Sequence, residues 1–241
     1  MTSNEHLLLD SQKEQSKSAS GVQAAGIIAL TLLPLAVILL QVSLPLQGML
    51  AYSLYKPFMI IPPLLYLRQK GIRPIRDIIN PERWRAGIWP GIGFGMLGGA
   101  IFLGAYLFAA DLLIDKAAIM AKIGTQFSVT ASTVILAALY TTFINSLIEE
   151  FFYRGFAFGL LRRKNRTLAY LLPASVFTIQ HLFFIYHWMS IPVLALVAVS
   201  LFVFSLVMQR VYEKTDSLIG PWIAHMFGDA VMMGIAASMV F

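Results

Sequence analysis

The sequence predicts an all-helical, polytopic transmembrane bundle of about seven spans, with six to eight as the range that its apolar runs allow. Of the 241 residues, 58% are hydrophobic and only 12% carry a charge, and the mean hydropathy is +0.74. Soluble domains are about 45–50% apolar and about 25% charged. A chain with so few charges cannot cover a surface exposed to water, so we expect a lipid bilayer to surround most of it.

The number of spans comes from apolar runs whose length is close to the ~20 residues that cross a bilayer. The second run is the weakest, because Lys56 and the prolines Pro57, Pro62 and Pro63 interrupt it. The seven runs lie at 22–48, 50–67, 86–110, 131–161, 167–186, 190–208 and 217–241.

The first 20 residues are polar and mixed in charge, which predicts a disordered cytoplasmic tail. They contain neither the basic start nor the small-residue cleavage site of a secretory signal. We therefore expect the first apolar run to be a retained span, and residues 21–241 to form a single transmembrane domain.

Basic residues gather in three of the connecting segments, at 68–85, 162–166 and 210–214. When seven spans alternate in direction, all three segments lie on the same side of the membrane. The positive-inside rule then places that side and the N-terminus in the cytoplasm. Charges gathered between apolar runs also argue against nucleic acid as a partner, because nucleic acid would require a continuous basic face.

A glycine-rich stretch inside the third run matches the letters of the dinucleotide-binding fingerprint at 93–98. That fingerprint needs a preceding strand and a soluble βαβ unit, and neither is predicted here. In an apolar span such glycines more plausibly allow two helices to approach closely. The glycines assigned to this packing are Gly91, Gly93, Gly95, Gly98 and Gly99.

Few ionisable side chains lie inside the apolar runs, and each would cost roughly 2.5–3.5 kcal/mol at a helix centre unless it has a partner or a function. Counted at 1.5 Å per residue from the basic ends of the expected spans, Glu149, His181 and His225 lie at depths of about 18, 21 and 12 Å. We expect them to share a hydrated pocket that opens toward the cytoplasm. Apart from Lys56 in the interrupted second run, these side chains are Glu149, Glu150, Arg154, His181, His225 and Asp229.

Two pairs in this set have the i, i+4 spacing that makes side chains neighbours on one helix face. Glu150 and Arg154 are expected to form an intrahelical ion pair. Glu149 points about 100° away around the helix and has no cation nearby in sequence, which makes it the better candidate for a general base. In the second pair, Asp229 could orient the imidazole of His225, or both could contact one bound oxygen.

Three motifs in this part of the chain resemble those of the CPBP family of intramembrane proteases, which comprises CAAX prenyl endopeptidases and bacteriocin-processing proteins of the ABI type. Glu-Glu-x-x-x-Arg occurs at 149–154, Phe-x-x-x-His at 177–181, and His-x-x-x-Asn/Asp at 225–229. Each motif alone is weak, but their order and similar depth make the combination specific. The resemblance covers about residues 130–241.

The resemblance implies hydrolysis of peptide bonds in membrane-associated or lipid-modified peptide substrates, in a bacterial inner membrane. Glu149 and His181 would activate a water molecule, and His225 with Asp229 would stabilise the oxyanion, with Glu150 and Arg154 as supporting residues. Asn is the commoner residue at position 229 of the motif. An ionised Asp229 would repel an oxyanion, so this residue is either neutral or acts by orienting His225.

A metal is an open point, since members of the family are also called metalloproteases. Glu149, His181 and His225 would be adequate zinc ligands with one position open for water. The sequence contains no His-Glu-x-x-His motif, and these ligands would come from three different spans. We therefore favour a metal-free glutamate mechanism without a cofactor.

Two other classes of function remain open from the residues alone. Glu149, His181 and His225 could form the relay of a proton-coupled transporter, although the repeated halves common in transporters are not evident. The protein could also be a non-catalytic membrane partner or immunity protein. A cysteine protease is excluded because the sequence contains no cysteine, and the sequence indicates no oligomeric state.

Overall fold

The computed structural model describes residues 3–44, 48, 53–187 and 189–240, and among these residues it contains helices and no strand. Helices make up 86% of the structure, which confirms the predicted all-helical class. The eight helices are α1 (Ser3–Val42), α2 (Lys56–Gln69), α3 (Trp84–Leu113), α4 (Lys116–Phe127), α5 (Val134–Leu161), α6 (Arg166–Ile185), α7 (Ile191–Thr215) and α8 (Ile219–Val240).

Six of the described helical segments are long and apolar enough to cross a membrane, and they include parts or all of α1, α3, α5, α6, α7 and α8. The protein is therefore a multi-pass integral membrane protein. The expected second span corresponds to α2, which has only 14 residues and is too short to cross alone. Lys56 and Pro57 begin this helix instead of interrupting it, because proline is tolerated in the first helical turn. Residues 50–52 of the expected span lie outside the described residues.

Helix α1 begins at Ser3, so residues 3–20 of the expected disordered tail are helical in the structure. No glycine or proline occurs before Gly21, and nothing in this segment therefore breaks the helix that continues into the first span.

The three basic segments meet at one end of the bundle, as predicted. Helix α2 runs back along α1, as shown by the hydrogen bond that the Tyr66 hydroxyl donates to the carbonyl oxygen of Gln23 at 3.4 Å. The side-chain amide of Asn80 donates to the carbonyl of Asp216 at 2.8 Å, and Arg162 Nη2 lies 2.9 Å from Asp216 Oδ1. Contacts among these segments therefore confirm that they share one side.

The most extensive helix pairing joins α3 to α8, through a row of glycines. A Cβ atom at Gly91 would lie 2.6 Å from the carbonyl oxygen of Gly220, and one at Gly95 would lie 2.8 Å from Phe227. Gly99 also faces α8, whereas Gly93 and Gly98 have no neighbour within 4 Å of such an atom. The packing prediction is confirmed for Gly91, Gly95 and Gly99 and wrong for the other two, which lie on a different helix face.

Helix α5 is not a regular α-helix. Its α-helical segment Ser146–Glu150 lies between π-helical Tyr140–Asn145 and Phe151–Phe158. A π-turn contains an additional residue and is found mostly as a local bulge at functional sites. Between these two segments, Glu149 and Glu150 are both buried, with 2% and 0% of their surfaces exposed.

Candidate active site

Glu149 lies at the centre of a cluster of ionisable side chains from α5, α6 and α8. Its Oε2 atom is 3.6 Å from Nε2 of His181 and 3.9 Å from Nε2 of His225. These three residues are far apart in sequence and come from three helices. The structure therefore brings together the three side chains that were expected to share a site.

The other oxygen of Glu149 accepts three hydrogen bonds. Lys56 Nζ contacts Oε1 directly, Asn145 Nδ2 lies 3.2 Å from it, and Gln180 Nε2 lies 3.1 Å from it. Glu149 has no cation nearby in sequence, but the structure places one beside it. The cation comes from α2, which is 93 residues away in sequence, and a search along the same helix cannot find it.

Oε2 of Glu149 is buried and accepts no hydrogen bond. Its 3.6 Å separation from the His181 ring nitrogen is longer than a hydrogen bond. A buried carboxylate oxygen without a donor is costly unless it has a partner such as water. This oxygen therefore has the capacity to accept a proton from a molecule held beside the two imidazoles.

Glu150 and Arg154 form the predicted i, i+4 ion pair, with Arg154 Nη1 at 2.8 Å from Glu150 Oε1. Arg154 is fully buried, its Nη2 donates to Ser205 Oγ at 3.2 Å, and its guanidinium lies 4.6 Å from the ring centroid of Phe177. The carboxylate, hydroxyl and aromatic ring together compensate for burying the cation.

His225 connects the two glutamates to Asp229. Its Nδ1 lies 2.7 Å from Glu150 Oε1, while its Nε2 faces Glu149 and lies 3.7 Å from Asp229 Oδ1. Because a carboxylate accepts, Nδ1 carries a hydrogen. Nε2 can therefore donate only when the ring carries both protons.

The orientation of His181 is fixed by its own helix. Its Nδ1 lies 2.8 Å from the carbonyl oxygen of Phe177, and because that oxygen can only accept, Nδ1 is the donor. In the neutral ring, Nε2 is then an acceptor that faces Glu149. Phe177, the first residue of the second motif, thus positions His181 through its backbone and covers Arg154 with its ring.

The expected opening of the site toward the basic end of the bundle stays a prediction. On the basic side of the cluster, the helices pack through buried aromatic and aliphatic side chains that include Phe152, Phe156 and Leu161. The most exposed member of the cluster is His181, whose side chain is 28% exposed and which lies near the end of α6 farthest from Arg166.

Sequence reasoning missed four residues that complete the cluster, namely Lys56, Asn145, Gln180 and Ser205. Asn145 precedes Glu149 by one helical turn, and Gln180 is adjacent to His181, so both could have been suspected as partners. Lys56 was noted as an interruption of an apolar run, although an isolated cation in such a run suggests a buried partner. No sequence signal indicates Ser205.

The donor set does not fit a metal in this arrangement. No group of three His, Cys, Asp or Glu side chains able to hold a metal ion occurs among the residues described. Glu149, the central member of the alternative set of zinc ligands, is paired with the ammonium of Lys56, which would repel a dication. The Nδ1 atoms of the two histidines are also bonded to other groups: that of His181 to the carbonyl oxygen of Phe177, and that of His225 to Glu150.

Comparison with protein families gives a match to the part of the chain that contains this cluster. Residues 131–231 match the family model described as type II CAAX prenyl endopeptidase Rce1-like. The match supports the resemblance to this family that the three motifs carry. The match contains all three motifs that suggested the resemblance, whereas Lys56 lies outside it. Comparisons with curated proteins and with solved structures give no match.

The Rce1-like match supports, at the level of the family, a CAAX-type intramembrane endopeptidase. A protease of this kind lies in the lipid bilayer and acts on peptide substrates. The match does not favour the transporter or the non-catalytic partner. The specific class of protease depends on the chemistry of the cluster.

Proposed function

We propose that the protein hydrolyses peptide bonds of membrane-associated or lipid-modified substrates with a water molecule activated by Glu149 and His181. The observation that carries this proposal is the buried, unbonded Oε2 of Glu149, which faces the ring nitrogens of His181 and His225 at 3.6 and 3.9 Å. The Rce1-like match over the same residues supports a peptide as the substrate.

In the first step, Oε2 of Glu149 takes one proton from a water molecule. The water oxygen bonds to the scissile carbonyl carbon, and the carbonyl π electrons move to its oxygen. Nε2 of His181 accepts a hydrogen bond from the second hydrogen of the water, in the orientation fixed by Phe177. A positioned general base of this type typically contributes about 10²–10⁴-fold to the rate.

The resulting oxyanion is stabilised by His225 and Asp229. Glu150 holds Nδ1 of His225, so the doubly protonated ring presents Nε2–H toward the site. Asp229 acts in its neutral form as a second donor, because an ionised carboxylate would repel the oxyanion. Removing one donor of an oxyanion hole typically costs about 10²–10³-fold in kcat.

In the second step, the carbonyl bond re-forms and the carbon–nitrogen bond breaks. The departing nitrogen takes the proton held by Glu149, which gives an amine and a carboxylic acid and returns Glu149 to its ionised form. Lys56, Asn145 and Gln180 remain bonded to Oε1 throughout. No metal is needed in this sequence of steps.

We further propose that the basic end of the bundle faces the cytoplasm of a bacterial cell, with the N-terminus on that side. The three basic segments that meet there support this orientation through the positive-inside rule. His181, the most exposed member of the cluster, then lies near the end of α6 farther from the cytoplasm.

The proposal is tested with the full chain in liposomes and a fluorogenic transmembrane peptide. We expect Glu149→Gln to lower kcat by about 10² or more, because a general base is removed, while Asp111→Asn at an exposed surface position leaves activity unchanged. Full activity of Glu149→Gln would contradict the assignment of the base. Activity that is lost with a chelator and restored by zinc would contradict the metal-free mechanism.

A further inference from the structure

The two oxygens of Glu149 have very different surroundings. Oε1 accepts hydrogen bonds from Lys56, Asn145 and Gln180, whereas Oε2 accepts none. The three donors come from α2, α5 and α6. A carboxylate held at one oxygen from three directions cannot rotate without breaking these hydrogen bonds, so Oε2 stays directed at the two imidazoles.

Lys56 is the strongest of the three donors, because its hydrogen bond to Glu149 is assisted by charge. The burial of its ammonium group also needs an explanation. The Lys56 side chain is 6% exposed, and burying an ammonium is costly unless it is paired. The Arg154–Glu150 pair is formed within one helix, whereas Lys56 comes from a separate short helix whose first residue it is.

The neighbouring residue Tyr55 strengthens this arrangement. Its ring lies 4.6 Å from Lys56 Nζ, and its hydroxyl accepts a hydrogen bond from Gln180 Nε2 at 3.3 Å. Gln180 in turn accepts a hydrogen bond from the Tyr153 hydroxyl. The start of α2 is thereby tied to α5 and α6 at the level of Glu149.

We propose that Lys56 is a positioning residue of the protease: it holds Oε1 of Glu149 so that Oε2 is presented to the attacking water. Asn145 and Gln180 assist it at the same oxygen. This inference rests on the proposed function of Glu149 as the base. It extends the working site to α2, outside the segment 131–231 that matches the family.

The test compares Lys56→Met, which removes the donor and the charge, with Lys56→Arg, which keeps both. Lys70→Met, at the exposed end of α2, is the matched control. Because a small misplacement of a reacting group can cost about 10²-fold, we expect Lys56→Met to lower kcat by roughly 10–100-fold while KM stays within about twofold. Lys56→Arg should recover most of the loss, and Lys70→Met should match the native protein.

The outcomes separate this inference from the proposed function. If folded Lys56→Met keeps its kcat while Glu149→Gln is inactive, the positioning role is wrong and the protease mechanism stands. If Glu149→Gln is active, the mechanism itself is wrong. Should Lys56→Met fail to fold, Asn145→Ala is the second variant, because it removes a neutral donor from the same oxygen. A loss in kcat of about fivefold or more, within the cost of misplacement, supports the inference. An unchanged kcat overturns it.

Discussion

Nδ1 of His225 lies 2.7 Å from Oε1 of Glu150, the same oxygen that receives the guanidinium of Arg154 at 2.8 Å. One carboxylate oxygen therefore joins α5 to α8 and neutralises a fully buried cation. Oε1 of Glu150 is occupied by these two partners, whereas Oε2 of its neighbour Glu149 faces the imidazoles of His181 and His225. Two adjacent glutamates thus have different tasks, which variants can separate.

Glu150→Gln is expected to destabilise the protein. Removing one partner of a buried ion pair leaves the other charge uncompensated, at a cost of about 3–5 kcal/mol. The free energy of unfolding, measured with denaturant in detergent micelles, checks this. Asp111→Asn breaks the ion pair of Asp111 with Lys116 at the protein surface and should have no measurable effect. Equal stability of the Glu150 and Asp111 variants would refute the structural role of Glu150.

Asp229→Asn should keep kcat within about threefold, because an amide donates a hydrogen bond to the oxyanion without needing a proton. Asp229→Leu, of similar size, should lose about 10²–10³-fold, as expected for one oxyanion donor. Peptide cleavage in liposomes gives both values. A large loss in Asp229→Asn would instead favour the alternative in which an ionised Asp229 orients His225.

His181→Ala is expected to lower kcat by about 10²–10⁴-fold, because the attacking water loses its second contact. His187 follows the same end of α6 as His181 and is exposed. His187→Ala is therefore the matched control and should leave the rate unchanged. The comparison uses the same peptide and an equal amount of folded enzyme. Similar losses in both variants would show that the effect does not arise from the cluster.

Gly91→Ala should destabilise the α3–α8 pairing, since the added Cβ would meet the Gly220 backbone at 2.6 Å. Overpacking of this kind typically costs about 1–3 kcal/mol. Gly93→Ala in the same helix has open space around it and should be neutral or slightly stabilising, because alanine favours the helix over glycine by up to about 1 kcal/mol. Thermal unfolding of the two variants in detergent distinguishes them, and the reverse order would be inconsistent with this packing.

The helical class and the common side of the basic segments follow from composition and periodicity, because a bilayer strongly limits which structures can cross it. The length of α2 and the direction in which each glycine faces cannot be predicted from composition and periodicity. Gly93 and Gly95 look equivalent in an apolar run, and only the register of α3 against α8 separates them. That register depends on contacts between residues more than 100 positions apart in sequence.

Within the site, the sequence shows which ionisable residues lie inside apolar spans, where burial is energetically unfavourable without a partner or a function. This criterion finds Glu149, His181 and His225. It also finds the Glu150–Arg154 pair, because that contact is local. It misses the pairing of Glu149 with Lys56, since the partner comes from a different helix. Counting residues along each helix gives depth, but it does not show from which side the site is reached.

The π-helical turns of α5 have a consequence for how this span tolerates changes in length. A single-residue deletion within Tyr140–Asn145 could be absorbed by conversion of the wide turn to a regular α-turn, since such a turn contains one residue more than the hydrogen-bonding pattern of an α-helix requires. The helix on both sides of the turn would keep its orientation, whereas the same deletion in a regular α-helix would rotate one side by about 100° relative to the other. Homologous chains that lack this residue would therefore keep both their glutamates and the lipid-facing side of Val134–Leu139 in the same places.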